Sequence, residues 1–253
     1  MKKFLFVLLI LTLPITLLAC SSEETKAKKM LNVGMHMDFK PFEFIENGEH
    51  NVKGFDVDIM EAIGNELGYE ITFSDHSYDE LFDILERGNV DAVISAVSIT
   101  DERKERMSFT EPYFESGLVV AVRADNSDIK GFTDLPGKRV AVAVGTTGAI
   151  TVREQKSLDV LELRTAEDTF SALLAGKVDA VVNDKPMIYY YLNTHKDANI
   201  KVLPEIYQNE YYGIAVKKDN KELLDKLNDA LKKIKEKGVY DKIYEKWFGD
   251  NGQ

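Results

Sequence analysis

Apolar residues recur along this chain with two different spacings. Short runs rich in β-branched residues predict strands over 31–35, 71–74, 90–97, 140–144, 160–163 and 178–182. Helical spacing predicts helices over 54–67 (apolar at Phe55, Val57, Ile59, Ile63 and Leu67), 78–87, 148–155 and 169–174. Strand and helix alternate as β-α-β-α-β, twice, the pattern of an α/β chain with mostly parallel sheets and helices on their faces. The letters repeat too. LFDILERGNVDAV (81–93) and FSALLAGKVDAV (170–181) are each an apolar helix, a glycine stop and a Val-Asp-Ala-Val strand. Two lobes of like topology would produce this, and so would one helix–glycine–strand idiom used twice.

In open parallel sheets ligands bind beyond the carboxyl ends of the strands. After the first strand come Asp38, Phe39, Pro41, Phe42 and Glu43; the third delivers Ser95 and Ser98, then Arg103. The 140–144 strand runs into Gly145-Thr146-Thr147-Gly148, and the 178–182 strand into Asn183 and Asp184. One half thus offers aromatics, hydroxyls and a guanidinium, the other backbone N–H groups and a carboxylate, a set that suits a zwitterion.

Composition narrows the classes of function. The chain is 44% hydrophobic and 30% charged, ordinary for a globular protein, and its net charge of −11 argues against nucleic acid. Lys2 and Lys3 precede an apolar run over 4–18 that is short for a membrane span and fits a signal-peptide core. That run ends in Leu17-Leu18-Ala19-Cys20, which resembles a bacterial lipobox; an uncleaved anchor helix is the alternative. Cys20 is the only cysteine, so no internal disulfide is available, and acyl chains (diacylglyceryl, palmitate) on Cys20 would anchor the protein to a membrane. Residues 1–20 then form a signal peptide and 21–30 a polar tether.

Each candidate side chain also has a plainer use. Thr100-Asp101-Glu102 reads as a helix start, and Arg103 follows in the first turn, where a cation is disfavoured. It is either an anion clamp with Ser98 or one charge in the solvated run Arg103–Arg106. The Gly145–Gly148 loop holds a carboxylate or is a tight turn; it lacks the spacing and the lysine of a phosphate loop. Asp184, before Lys185-Pro186, is a helix N-cap or the counter-charge of an ammonium group. Phe39 and Tyr78 are core aromatics or the walls of a crevice. His36, His50, His76 and His195 lack metal-ligand spacing, so no metal and no cofactor is expected.

Taken in order, Phe39-Lys-Pro-Phe-Glu, Gly54-Phe-Asp-Val-Asp-Ile, Ser98-Ile-Thr-Asp-Glu-Arg, Phe109-Thr-Glu-Pro-Tyr-Phe, Gly145-Thr-Thr, Val178-Asp-Ala-Val-Val-Asn-Asp, Tyr212-Gly-Ile-Ala and Ile243-Tyr-Glu-Lys-Trp-Phe-Gly resemble the solute-binding proteins of polar amino-acid ABC transporters. The resemblance implies a two-lobed type II periplasmic-binding-protein fold with a two-strand hinge. It implies Arg103, Ser98 and Thr147 on the ligand α-carboxylate, Asp184 on its ammonium, Ser95 and Ala96 at its main-chain groups, and Phe39 and Tyr78 around its side chain. Lobe 1 would be 31–112 and 213–253, lobe 2 118–207, with hinge crossings at 113–117 and 208–212.

The departures fall at specificity positions. His36 stands where binders of basic amino acids resemble one another in carrying an acid, which weakens a lysine or arginine reading. Ala143 and Asn183 stand where glutamine binders carry lysine and histidine, which weakens a strict glutamine reading. The implied protein is a monomeric extracytoplasmic lipoprotein that hands an amino acid to a membrane permease and has no catalytic residues. A dehydratase-like enzyme on the same fold is the alternative.

Overall fold

The computed structural model describes residues 28–46, 50–155 and 157–249. The signal-peptide and lipidation readings on 1–20, Cys20 included, lie outside the described residues. The chain begins with β1 (Lys29–Met35), a short β2–β3 hairpin (Asp38–Phe39, Glu43–Phe44), α1 (Phe55–Leu67), β4 (Tyr69–Asp75), α2 (Leu81–Arg87), β5 (Ala92–Val93), α3 (Asp101–Arg106) and β6 (Met107–Phe109). It continues with β7 (Phe114–Arg123), β8 (Arg139–Ala143), α4 (Thr147–Arg153), β9 (Asp159–Leu163), α5 (Ala166–Leu174), β10 (Ala180–Asp184), α6 (Lys185–Thr194) and β11 (Ile200–Tyr212). It then returns through β12 (Ala215–Lys217), α7 (Lys221–Glu236) and α8 (Val239–Phe248).

Two five-stranded sheets result, ordered β4-β1-β5-β12-β6 and β11-β7-β10-β8-β9. In the first, β1 runs parallel to β4 and β5, and β12 is antiparallel to β5. In the second, β8 runs parallel to β9 and β10, and β7 is antiparallel to β10. The two sheets match in strand order and direction, and the repeated motifs occupy equivalent places. α2 stops at Gly88 before β5, α5 stops near Gly176 before β10, and both glycines take positive φ.

Local chemistry explains these elements. α1 buries Phe55, Val57, Ile59, Met60 and Ile63 and ends at Gly68 in the left-handed conformation. α7 starts under an Asn220 cap and buries Leu223, Leu227, Ala230, Leu231 and Ile234, one stripe at helical spacing. Gly54, at φ 149°, passes so close to the hairpin that a Cβ would lie 1.9 Å from the Phe42 carbonyl oxygen. Gly54→Ala should therefore destabilise the protein by roughly 2–4 kcal/mol, read as a lower urea midpoint at unchanged slope.

The two sheets meet at β7 and β11, which lie side by side, antiparallel, with Tyr212 opposite Phe114 and Asn209 opposite Gly117. An aromatic knot pins these strand ends. Phe114 stacks on Tyr212 at 5.6 Å, and Phe42 meets both, edge-on, at 5.1 and 5.4 Å. Phe248 of α8 closes the cluster at 5.1 Å from Phe114.

Some elements differ from the sequence reading. The strand expected over 90–97 is only β5, because the chain turns at Ala96, whose φ is +44° and whose N–H is held by Asp56 Oδ2 at 2.8 Å. The stretch read as a tether over 21–30 overlaps β1, which starts at Lys29 alongside Tyr69. β10 extends two residues further, so Asn183 and Asp184 lie within a strand, opposite Val119 and Leu118. α5 starts at Ala166 because Thr165 caps it, accepting from Asp168 N at 3.1 Å. Residues 78–80 form a 3-10 turn ahead of α2, so the helix expected over 78–87 is divided.

Candidate functional site

The ends of the parallel strands from both sheets converge on a cleft. Arg103 belongs to a six-residue helix whose Thr100 cap accepts from Arg103 N at 3.1 Å. So short a helix has little dipole, and Arg103 is placed by its contacts instead. The residue is 6% exposed, and its guanidinium faces Phe82 and Tyr78, at 4.8 and 5.9 Å from the ring centroids. Nη1 donates to the Ser98 carbonyl at 2.8 Å, and Nη2 reaches across to the Gly145 carbonyl at 3.2 Å. Lys104 and Arg106 point outward, to Asp101 and to the Asp83–Glu86 pair, so the solvated-run reading holds for them and not for Arg103.

Asp184 sits at the start of α6 but caps nothing. The residue is 4% exposed, and its Oδ2 accepts from the Tyr212 hydroxyl, which also meets Ser116 Oγ at 2.9 Å. Burial, with the neighbouring Glu210 adding to it, pushes the Asp184 carboxyl up to about 8. Thr146, not Thr147, caps α4, which frees the Thr147 hydroxyl to point elsewhere.

It points to Glu210, a residue the sequence reading missed. Glu210 Oε2 accepts from Ser98 Oγ at 2.5 Å and from Thr147 Oγ1 at 3.0 Å. Burial raises this carboxyl, against the pull of the two hydroxyls and Arg103. At the end of β11 burial alternates, so Glu210 shares the inward face with Tyr212 while Asn209 and Tyr211 face out.

Beneath the cleft lies a second carboxyl pair. Ser95 Oγ donates to Glu43 Oε1 at 2.5 Å and accepts from His36 N at 3.1 Å, so its side chain is spent inside the first half. Asp56 Oδ2 takes Ala96 N at 2.8 Å and the Tyr113 hydroxyl at 2.9 Å. Both acids are fully buried, which holds Glu43 well above the carboxylate range, with Asp56's charge adding to it, and lifts Asp56 to about 6. The pair fixes the turn at Ala96 under the cleft floor.

Phe39 and Tyr78 stack at 6.3 Å and 29°. With His36, Ala143, Val144, Thr146, Arg164, Thr165 and Ala166 they line a cavity of about 10 Å³ between the halves. That is too small for an amino acid, and neither Arg103 nor Asp184 lines it. His36 is 7% exposed; its Nδ1 lies 3.0 Å from the His76 carbonyl, and its Nε2 has no partner among the described residues. A carbonyl only accepts, so the proton sits on Nδ1 in the neutral ring and Nε2 presents a lone pair. Asn183 accepts Asp184 N through Oδ1 at 2.8 Å, and its Nδ2 likewise lacks a partner among the described residues. A larger cavity of about 230 Å³ opens nearby, lined by Asp38, Glu46, Glu167, Phe170, Tyr190 and Tyr191 among others. Neither Arg103 nor Asp184 lines it, so it lies apart from that buried pair.

A guanidinium, two buried carboxyls and an aromatic pair in one interlobe cleft define a receptor for a small charged solute. Residues 31–250 match the bacterial extracellular solute-binding proteins, family 3, and the chain belongs to that family. It is 36% identical over 236 residues to ABC transporter arginine-binding protein 1 of Escherichia coli (strain K12), covering 92% of this chain and 96% of the relative. It is 37% identical over 230 residues to a probable histidine-binding protein of Neisseria gonorrhoeae, covering 88% and 85%. A solved ancestral arginine-binding protein bound to arginine matches with TM-score 0.83 at 39% identity, over 88% of this chain and 99% of that one. The fold is thus the type II periplasmic-binding-protein fold, and the protein is an extracytoplasmic solute-binding protein rather than an enzyme on that scaffold. No helix among the described residues is long and apolar enough to cross a membrane.

Proposed function

We propose that the chain captures a polar L-amino acid by closing two lobes over it and presents the closed form to an ABC transporter permease. Lobe 1 is read as 31–112 with 213–253, lobe 2 as 118–207, and the hinge as the paired crossings 113–117 and 208–212. The observation that carries the reading is the buried guanidinium of Arg103 on one lobe facing the buried carboxyl of Asp184 on the other. A zwitterion placed between them has each charge paired out of water, as burial demands. Phe39 and Tyr78 cover its apolar stem. Amino-acid-binding relatives support the same reading.

At the side-chain end, the His36 Nε2 lone pair favours a ligand group that donates, such as an amide, imidazole or guanidinium N–H. Relatives named for arginine and histidine are consistent with a donor-bearing ligand, although His36 replaces the acid of basic-amino-acid binders. Anchoring through acyl chains on Cys20, with the protein acting as a monomer, completes the proposal and rests on the lipobox resemblance.

A thermal-shift screen against the common L-amino acids tests the reading. At about 100 times its dissociation constant a ligand adds roughly 2.7 kcal/mol, which for a protein of this size raises the melting temperature by about 5–10 °C. A polar L-amino acid should do this and its D-enantiomer should not. A flat response to every amino acid would sink the proposal.

A further inference from the structure

The resemblance puts the hydroxyls of Ser98 and Thr147 on the ligand carboxylate, but in this structure both are already directed at one atom, Glu210 Oε2, at 2.5 and 3.0 Å. We propose that Glu210 is the closure latch of this receptor: a hinge-strand carboxylate that takes one hydroxyl from each lobe and holds the lobes together around the ligand. This rests on the amino-acid-binding reading above and adds a positioning residue to it.

The three groups sit on three different parts of the molecule. Ser98 precedes the first crossing between the sheets, Thr147 opens α4 beyond it, and Glu210 lies on the second crossing, opposite Ser116 of β7. Parting the lobes carries Thr147 away from Ser98, so one oxygen cannot keep both, and the contact belongs to the closed arrangement alone. A hydroxyl has one proton. With those of Ser98 and Thr147 given to Glu210, the ligand carboxylate draws on the Arg103 guanidinium and on backbone N–H groups.

Glu210 is more than a satisfied structural acid. It is 4% exposed, and its Oε1 is buried with no partner among the described residues. A carboxylate held that way is costly to bury unless its bonds form, so closure and the two hydroxyl bonds stand or fall together. Arg103 favours its charge, and Glu210 in turn raises the Asp184 carboxyl.

The test uses the full chain with Glu210→Gln, Thr147→Ala, Thr147→Ser and the double variant Glu210→Gln/Thr147→Ala. Without added amino acid, small-angle scattering should show Glu210→Gln and Thr147→Ala more open than the parent and Thr147→Ser like it. Identical curves for all would overturn the latch. With L-arginine, L-histidine and L-glutamine as probes, Glu210→Gln should release ligand about tenfold faster while association changes less than about twofold. Thr147→Ala should cost about tenfold in affinity in the parent and under about twofold in the Glu210→Gln background. Additive losses would mean that the Thr147 hydroxyl serves the ligand directly, and tighter binding by Glu210→Gln would mean that Glu210 competes with the ligand carboxylate. Either result refutes the latch. If Glu210→Gln does not fold, Thr147→Ala against Thr147→Ser decides alone. A parent that binds none of the three probes counts against the amino-acid reading, and the scattering comparison still settles the latch.

Discussion

Replacing Arg103 by alanine should weaken amino-acid binding by about 3–5 kcal/mol, roughly 150-fold to a few thousand-fold, because the ligand carboxylate would be buried without its counter-charge. The same change removes the Nη2 bond to the Gly145 carbonyl, which ties one lobe to the other. Lysine should rescue only part of the loss. An ammonium cannot offer the planar fork or lie flat against Phe82 as the guanidinium does at 4.8 Å. Arg106→Ala, by contrast, breaks only exposed pairs with Asp83 and Glu86 and should leave affinity within about twofold. Calorimetric titration of the three variants checks the assignment; equal binding by Arg103→Ala and the parent would remove Arg103 from the site.

Asp184 carries the second large effect, and it should appear as a pH dependence. Its carboxyl stands at about 8, raised from 3.8 chiefly by burial, so below that pH a ligand ammonium must first displace a proton. Affinity should therefore fall as pH drops below about 8, by up to about tenfold per unit. Asp184→Asn should bind weakly and with a flat profile across the same range. The stability of the protein without amino acid moves the other way. A folded-state value above the unfolded one gives a contribution that is full below about pH 4 and is lost as pH rises through about 8. The melting-temperature gain on adding ligand should accordingly grow between pH 5 and pH 8 in the parent and stay constant in Asp184→Asn.

Much of this arrangement is legible in the letters where neighbours in sequence are neighbours in space. The Thr100 cap, the glycine stop at Gly88 and the two Val-Asp-Ala-Val strands follow from local rules, and the equivalent positions of β5 and β10 bear out the repeat. Arg103 was ambiguous locally, and contacts from distant residues resolve it: Gly145 is 42 positions away. Glu210 was invisible for the same reason, since its partners Ser98 and Thr147 lie 112 and 63 positions off. The strand expected over 90–97 failed at Ala96. Its left-handed turn is held by Asp56, 40 positions earlier, and no property of alanine announces it. Burial likewise sets the protonation of Glu43, Asp56 and Asp184, and a sequence shows burial only where its periodicity is clean.

The path of the chain also has a consequence for how the protein comes into being. The second sheet draws its five strands from residues 114–212 without interruption. The first lacks the strand between β5 and β6 until β12 arrives at Ala215–Lys217, and its outer helices α7 and α8 come later still. A chain still emerging from the ribosome, short of β12, can complete only the second sheet. The knot of Phe42, Phe114, Tyr212 and Phe248 draws on both ends of the fold, so the cleft is assembled last. A chain cut after β11 would carry Arg103 and Asp184 in its sequence and still own no receptor.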